Sequence, residues 1–460
     1  MTHANALLIL VDALRYDIVA DSELRRVVTP NLDRLVQEGE LGKVVSQASN
    51  TQFAMPSIMS GTAPLDYGGY NEGCKKRPAC FPESFLKRGY KTALFSNCVL
   101  YNRDLGFDRG FVQAVVPINN RRALKQDIEY RLRVPIRKWQ EGELPDTEIV
   151  RTLQREFRDI LENLIRVCED VGRTPRRFKR LVHMNRELAI DARRECALLE
   201  RDPLAVLEKL KRVPETYYWA VLGLPRPNYR LLAVRILNKI YAMIGSLVPA
   251  RILRFGHFDG FESLVEELAP GVSKFVGNRE QPWFVMAHIM DVHTNAVCLN
   301  QLLRAPSKIL RRLFLSRKLI SARDSRGRRP DLLYLLGLAV VDEFIGNLTK
   351  ALDETVQRER TVIMVIADHG RTQERYDLQP TPELSRRFRR SCLETPLVLA
   401  GSGDGRPLRA GLRDSRDIGA TLLDRVGLAI PDGYRGRSVL SSPPRRAVVS
   451  ENAGRGYCDL

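Results

Sequence analysis

Val362-Ile363-Met364-Val365-Ile366-Ala367-Asp368-His369-Gly370 reads as a buried strand that ends in a carboxylate and an imidazole. A short, nearly continuous apolar run of this kind marks a strand covered on both faces, the habit of parallel sheets. The N-terminus repeats the pattern, since Leu7-Leu8-Ile9-Leu10-Val11 ends in Asp12. In open α/β sheets, ligands gather beyond the carboxyl ends of the strands. Two strands ending in Asp12 and in Asp368-His369 therefore bring O, O and N donors to one sheet edge. A hydroxyl comes from Asn50-Thr51-Gln52-Phe53-Ala54-Met55-Pro56-Ser57, read as a turn before a helix. Thr51 is expected close enough to attack, so the three segments together predict a metal site with a nucleophile.

Outward from these segments, strand-like and helix-like stretches alternate over residues 1–118 and again over 281–460. Thr29-Pro30-Asn31-Leu32-Asp33-Arg34-Leu35 predicts a helix start, with Thr29 as its cap and Pro30 in the first helical position. Ser57 is expected to cap a helix running on from Ile58. Further strands are expected at 43–45, 91–97, 282–288, 396–401 and 447–451, and helices over 332–352 and 415–426. Residues 119–280 are helical, basic and poor in strand signals. Within them Ile149, Leu153, Phe157, Ile160, Leu164 and Val167 recur every three or four positions, which buries one helix face. Residues 229–255 form a basic amphipathic stretch, suited to a membrane surface but more commonly explained by packing on a core. The fold class is α/β: a mostly parallel central sheet flanked by helices and interrupted by a basic helical insert. Its three parts are 1–118, 119–280 and 281–460.

A hydrophobic content of 44% over 460 residues fits a globular chain with a large core and excludes a disordered one. Met1-Thr2-His3-Ala4-Asn5 lacks a basic leader, and the apolar run behind it stops at Asp12 after six residues, so no signal peptide is expected. No uninterrupted apolar stretch approaches the roughly 20 residues of a transmembrane helix. The eight cysteines are scattered without a Cys-x-x-Cys pair, which predicts reduced thiols in a cytoplasmic protein. The net charge of +18 favours a polyanionic neighbour, whether anionic lipid, acidic glycan or nucleic acid. A solvated basic surface explains it equally well. No nucleic-acid module is recognisable, so specific nucleic-acid binding is not expected.

Asp12, Asp368 and His369 make a donor set that suits zinc or manganese and accepts magnesium or calcium less comfortably. A cation there would lower the pKa of a coordinated Thr51 hydroxyl and stabilise charge on a phosphoryl or sulfuryl oxygen. Three of only six histidines fall in two clusters, His288-x-x-Asp291-x-His293 and Asp368-His369. His3, His183 and His257 are read as ordinary core or surface residues.

At these residues the chain resembles the alkaline phosphatase/sulfatase superfamily. Ile9-Leu10-Val11-Asp12-Ala13-Leu14-Arg15 is similar to its first metal strand, 29–35 to the helix that follows, and 284–294 to its His-x-x-Asp-x-His segment. Ile366-Ala367-Asp368-His369-Gly370 is similar to its second metal strand, with echoes at 396–399 and 416–423. The resemblance spans about 1–118 and 281–455, in the family's order, and implies an alkaline phosphatase-like core. The nucleophile segment departs from the formylglycine sulfatases: laid on Pro56, Ala54 replaces their Cys or Ser and Ile58 their Arg. The phosphoethanolamine-transferase branch instead places Thr five residues before the Pro, as Thr51 stands to Pro56. The resemblance thus implies that Thr51 binds the metal and forms a phospho-enzyme intermediate, with Ser57 and Ser60 as rivals. Ala13, where many sulfatases carry a second Asp, implies one tightly held metal and a weaker second site.

By the same resemblance, His293 is the general acid or binds substrate, and Arg371 neutralises the substrate anion unless it is a plain surface arginine. His288 and Asp291 are placed with Arg371 among the substrate-binding residues, or else orient His293 or complete a second metal site. The expected activity is metal-dependent hydrolysis or transfer of a phosphate ester or diester. A sulfuric ester hydrolase acting on a glycan or small molecule is the second reading. A non-catalytic polyanion-binding protein on a metal-stabilised fold is the third. The expected partners are a phosphorylated or sulfated substrate, an envelope glycan or lipid among them, with peripheral membrane contact through the basic insert. The expected location is cytoplasmic or at the membrane periphery.

Overall fold

β1 (Asn5–Val11) lies mid-sheet because both of its faces are apolar. Leu7, Ile9 and Val11 enter one core cluster, while Ala6, Leu8 and Leu10 enter another on the opposite side. The structure, a computed structural model, describes residues 4–69, 72–98, 105–116, 120–170, 179–212, 253–254, 265–277, 282–293, 297–298, 306–373, 377, 388–403 and 405–451. The other strands are β2 (Glu40–Val45), β3 (Lys91–Ser96), β4 (Gln113–Val115), β5 (Leu253–Arg254), β6 (Trp283–Ile289), β7 (Val297–Cys298), β8 (Thr361–Ile366) and β9 (Glu394–Gly401). Seven of them form a sheet in the order β2-β9-β8-β1-β6-β3-β4, and β5 pairs separately with β7. β8, β1, β6, β3 and β4 run parallel; β9 is antiparallel to both β8 and β2. The fold is α/β with a mixed, mostly parallel sheet.

Helices cover both faces, as a buried parallel sheet requires. Pro30–Glu38, Val265–Val276 and Leu332–Glu354 bury apolar residues in the cluster of Leu7 and Ile9. Thr51–Ser60, Phe81–Lys87 and Asp417–Arg425 do so in the cluster of Leu8 and Leu10. Leu332–Glu354 is long and apolar enough to cross a membrane, but 67% of its most apolar window is buried inside the protein. It also carries Asp342, whose carboxylate accepts the backbone N–H groups of Asn31 (3.1 Å) and Leu32 (2.8 Å). Asp342 thereby caps Pro30–Glu38 from over three hundred residues away. Thr29 stands at the cap position but does not serve it, because its hydroxyl donates to the Arg25 carbonyl.

Two further local expectations are corrected. Thr51 is not in a turn but is the first residue of its helix, capped by Asn50, whose Oδ1 accepts from Phe53 N at 3.1 Å. Ser57 therefore sits buried inside that helix and caps nothing. Residues 447–451 form no strand; Glu451 N donates to Gln47 O without a ladder.

Between β4 and β5 in the sequence, the helices Asn120–Gln140, Asp146–Thr152, Arg158–Glu169, Lys179–Arg201 and Pro203–Arg212 close over their own apolar cluster. Ile149, Leu153, Phe157, Ile160, Leu164 and Val167 are all buried in that cluster or beside it, as their spacing predicted. Val265–Val276, although inside the 119–280 stretch, packs on β3, β6 and Leu332–Glu354 instead. The amphipathic 229–255 stretch lies outside the described residues apart from Leu253 and Arg254. Cys74, Cys80, Cys98, Cys168, Cys196 and Cys392 are all free thiols.

Candidate active site

Strand parity assembles the site. Side chains alternate across a sheet, so residues two apart share a face. Leu8 and Leu10 lead to Asp12, Phe284 and Met286 lead to His288, and Met364 and Ile366 lead to Asp368; the apolar members of all three series line one cluster. β8, β1 and β6 are neighbours in parallel register, with Leu10 opposite both His288 and Ile366. Two carboxylates and an imidazole consequently meet at the carboxyl end of three adjacent strands. One ligand atom from each of Asp12, His288 and Asp368 lies within 4.8 Å of the others. The helix Thr51–Ser60 buries Met55, Ile58 and Met59 in the same cluster, which sets Thr51, at its N-terminus, over this edge.

Thr51 Oγ1 donates to Asp12 Oδ2 at 2.7 Å and lies 3.3 Å from His369 Nε2. His369 Nε2 is 3.5 Å from Asp368 Oδ2 and 3.8 Å from Asp12 Oδ1, and its Nδ1 is 2.6 Å from the Gly370 carbonyl. His288 Nε2 is 3.9 Å from Asp12 Oδ2. The Asp368 turn is fastened by three bonds. Its Oδ1 accepts from His369 N (2.8 Å) and Ala13 N (3.3 Å), and its carbonyl accepts from Ser46 Oγ (2.5 Å). Gly370 is required there, because a Cβ would stand 2.1 Å from the Ser391 carbonyl oxygen. Ala13, at φ 61°, occupies the left-handed region that costs a non-glycine residue about 1 kcal/mol or more. That bend directs its N–H at Asp368 rather than along the strand.

The electrostatics fit a cation. Asp12 and Asp368 are fully buried side by side, and Asp12 Oδ1 and Asp368 Oδ2 have no hydrogen-bond donor among the described residues. Two such oxygens are costly to leave unmatched. Burial, then the charge of Asp12, raises the Asp368 pKa. Burial opposes protonation of His369, but Asp368 and Asp12 outweigh it and its pKa is raised. His288 is pushed down to about 4 by burial, so it is neutral and able to ligate near pH 7. Ligands about 2.1 Å from a tetrahedral ion lie about 3.4 Å apart; the separations of 3.3 to 3.9 Å are close to that. The set of Asp12, Asp368, His288, His369 and Thr51 suits zinc or manganese better than the all-oxygen preference of calcium.

The residues expected to bind substrate divide. His288 is fully buried among the carboxylates, so direct substrate contact is corrected to a place in the ligand cluster. Asp291 is likewise enclosed, accepting from Arg312 Nη2 at 2.6 Å and from Asn97 Nδ2 at 3.0 Å. These contacts fix the turn that carries His293, as the orienting alternative for Asp291 expects. His293 is exposed, with its ring centroid 6.4 Å from that of His369. Arg371 is exposed beside it, and its Nη1 donates to the His293 carbonyl at 2.9 Å.

Four supporting residues escaped the sequence reading: Ser46, Asn97, Arg312 and Arg15. Buried Arg15 donates to the Arg371 carbonyl at 3.0 Å and pairs with Asp377 at 2.8 Å, pinning the chain that follows Asp368-His369-Gly370. No local pattern marks any of these. His288 was within reach, since it has the same parity as the apolar residues of its strand.

The sequence model of the family described as Sulfatase matches residues 4–152 and 227–428. No curated protein matches the chain. Similar solved structures include a 2-O GAG sulfatase, at 12% identity over 95% of this chain and 73% of that one, with a TM-score of 0.48. The phosphonate monoester hydrolase of Agrobacterium radiobacter is 16% identical over 95% and 76%, with a TM-score of 0.46. The lipoteichoic acid synthase LtaP from Listeria monocytogenes is 14% identical over 95% and 76%, with a TM-score of 0.44.

Proposed function

Because the chain belongs to the sulfatase family, and is thus a hydrolase or transferase of the alkaline phosphatase superfamily, we propose that it cleaves or transfers a phosphate ester through Thr51. The observation that carries this reading is the position of Thr51 Oγ1, hydrogen-bonded to Asp12 at 2.7 Å and 3.3 Å from His369. The segment has Ala54 and Ile58 where a formylglycine site needs Cys or Ser and Arg, so the hydroxyl of Thr51 is the nucleophile this site offers.

A divalent cation held by Asp12, Asp368, His288 and His369 would acidify the Thr51 hydroxyl and offset charge on the phosphoryl oxygens. The protein supplies the rest. Thr51 Oγ1 bonds to phosphorus as the ester P–O bond breaks, and its proton passes to the Asp12 carboxylate that already accepts it. His293 gives a proton to the departing oxygen, and Arg371 steadies the anion from the open side. Water or an acceptor hydroxyl, giving its proton to His293, then attacks phosphorus, and Thr51 leaves with its own proton restored from Asp12. The N-terminal end of Thr51–Ser60 adds a partial positive charge where negative charge develops.

Sulfate ester cleavage is the second reading, favoured by the family match itself; fold-level kinship does not fix the ester. Turnover of aryl phosphate monoester, diester, phosphonate and sulfate, with and without zinc or manganese, separates the two. Phosphoryl substrates should turn over in the wild type and fail with Thr51→Ala. Sulfate cleavage alone would put the second reading first, and equal rates in the variant would remove Thr51 as nucleophile.

A further inference from the structure

The helix Pro306–Leu319 has two faces of opposite character. On the inner face Arg312, Ser316 and Leu319 are buried, and Arg312 is the residue that grips Asp291. On the outer face Leu310 is 61% exposed and Phe314, one turn on, is 59% exposed; Ile320, just beyond the helix, is 48% exposed. Single exposed apolar side chains are ordinary. These three share one segment with an unusual charge. Residues 306–330 contain nine Lys or Arg and one acidic residue; three of the nine are paired, Arg311 with Glu343, Arg312 with Glu266 and Asp291, and Arg328 with Asp324. Arg317 and Lys318, three and four positions after Phe314, are exposed on the same side, with Lys318 Nζ 5.3 Å from the Phe314 ring centroid. Arg323, Arg326 and Arg329 are exposed as well.

Candidate occupants of this face differ in what they use. A nucleic acid or acidic glycan uses the cations and leaves Leu310 and Phe314 in water. A second copy of the chain would bring the same positive charge against itself. An anionic bilayer uses both features, accepting the apolar side chains below its headgroups while the headgroups meet the cations. We propose that Pro306–Leu319 and the basic segment after it form a peripheral docking face for an anionic lipid surface. The proposal does not depend on which ester is cleaved. It also gives the buried face of the helix a consequence: through Arg312, the element that meets lipid holds the turn of His293.

The test is co-sedimentation of the full chain with vesicles of phosphatidylcholine alone and of phosphatidylcholine doped with phosphatidylglycerol. The wild type should bind only the doped vesicles. Arg317→Ala with Lys318→Ala should weaken binding about 30-fold, and Leu310→Ser with Phe314→Ser about tenfold or more. Both pairs change exposed side chains, so their melting temperatures should match the wild type. Failure of the wild type to bind doped vesicles would overturn the proposal. So would undiminished binding by the Leu310/Phe314 variant, which would mark simple polyanion adsorption. A wild-type dimer that the same variant converts to monomer would assign the face to a second copy instead.

Discussion

Arg312 Nη2 lies 2.6 Å from Asp291 Oδ1, and both side chains are almost wholly buried. This pair ties a surface helix to the turn between His288 and His293. Asn97 completes it, donating to Asp291 Oδ2 and accepting from Met290 N.

Breaking the pair from one side strands a buried charge. Arg312→Met should therefore destabilise the protein by about 3 kcal/mol, the range for removing one partner of a buried ion pair. Arg312→Met combined with Asp291→Asn should recover at least half of that loss, since the buried charge of Asp291 is removed and the other carboxylate on Arg312, Glu266, is partly exposed to water. Urea unfolding of both variants checks it. Equal stability of the single and double variants would mean that the pair is not energetically coupled.

Thr51→Ala should lower kcat/KM by about 1000-fold or more while leaving the fold intact, as expected for loss of a covalent nucleophile. Thr51→Ser keeps the hydroxyl and should retain measurable turnover. A burst of leaving group in rapid-quench experiments, present in the wild type and absent in Thr51→Ala, reads the covalent step directly.

Without metal, Asp12 and Asp368 face each other across a buried gap. Asp368→Asn should then make the metal-free protein more stable, by about 1–2 kcal/mol, because it removes like-charge repulsion and a desolvation cost. The same variant should lose the stabilisation that zinc or manganese gives the wild type. A metal-free Asp368→Asn protein that melts well below the metal-free wild type would show that the carboxylates are not strained.

Metal uptake should release protons. The pKa of His369 is raised above 6.5 and that of Asp368 above 3.8, and both groups must be deprotonated to ligate. Affinity should therefore fall as pH drops below these raised values, by up to about tenfold per pH unit for each proton released. Calorimetric zinc titrations in buffers of different ionisation enthalpy count the protons. No release at about pH 6, below the ordinary imidazole value, would contradict the shift on His369.

Gly370→Ala should cost about 3 kcal/mol or more, since the new methyl group meets a backbone oxygen that cannot turn away. Activity should fall with it, because Gly370 N bonds to Cys392 O and holds the Asp368-His369 turn against the short helix Arg390–Leu393 that leads into β9. A variant within about 1 kcal/mol of wild type would show that the turn can shift.

β1 and β8 were legible in the sequence because a strand buried on both faces needs an unbroken apolar run, and that demand is local. Asp12, Asp368 and His369 were legible for the same reason: each follows directly where such a run stops. The place of Thr51 as the first residue of a helix was not legible, because its cap, Asn50, reads equally well as part of a turn. The true cap of Pro30–Glu38, Asp342, could not be read from neighbouring residues, because it approaches from a distant helix. The sequence offered His288 several places; its position beside Asp12 and Asp368 follows from β6 lying next to β1 in parallel register. The pairing of Asp291 with Arg312 could not be read either, because the arginine comes from a helix 21 residues on. Propensity, periodicity and strand ends depend on a few adjacent residues, so the sequence by itself determined the α/β core and the edge where its chemistry gathers. Which carboxylates gather into a group that could hold a metal and which one meets an arginine depends on pairings between residues tens to hundreds of positions apart. Those pairings exist only when the sheet has closed and water has left, and the tertiary structure alone decided them.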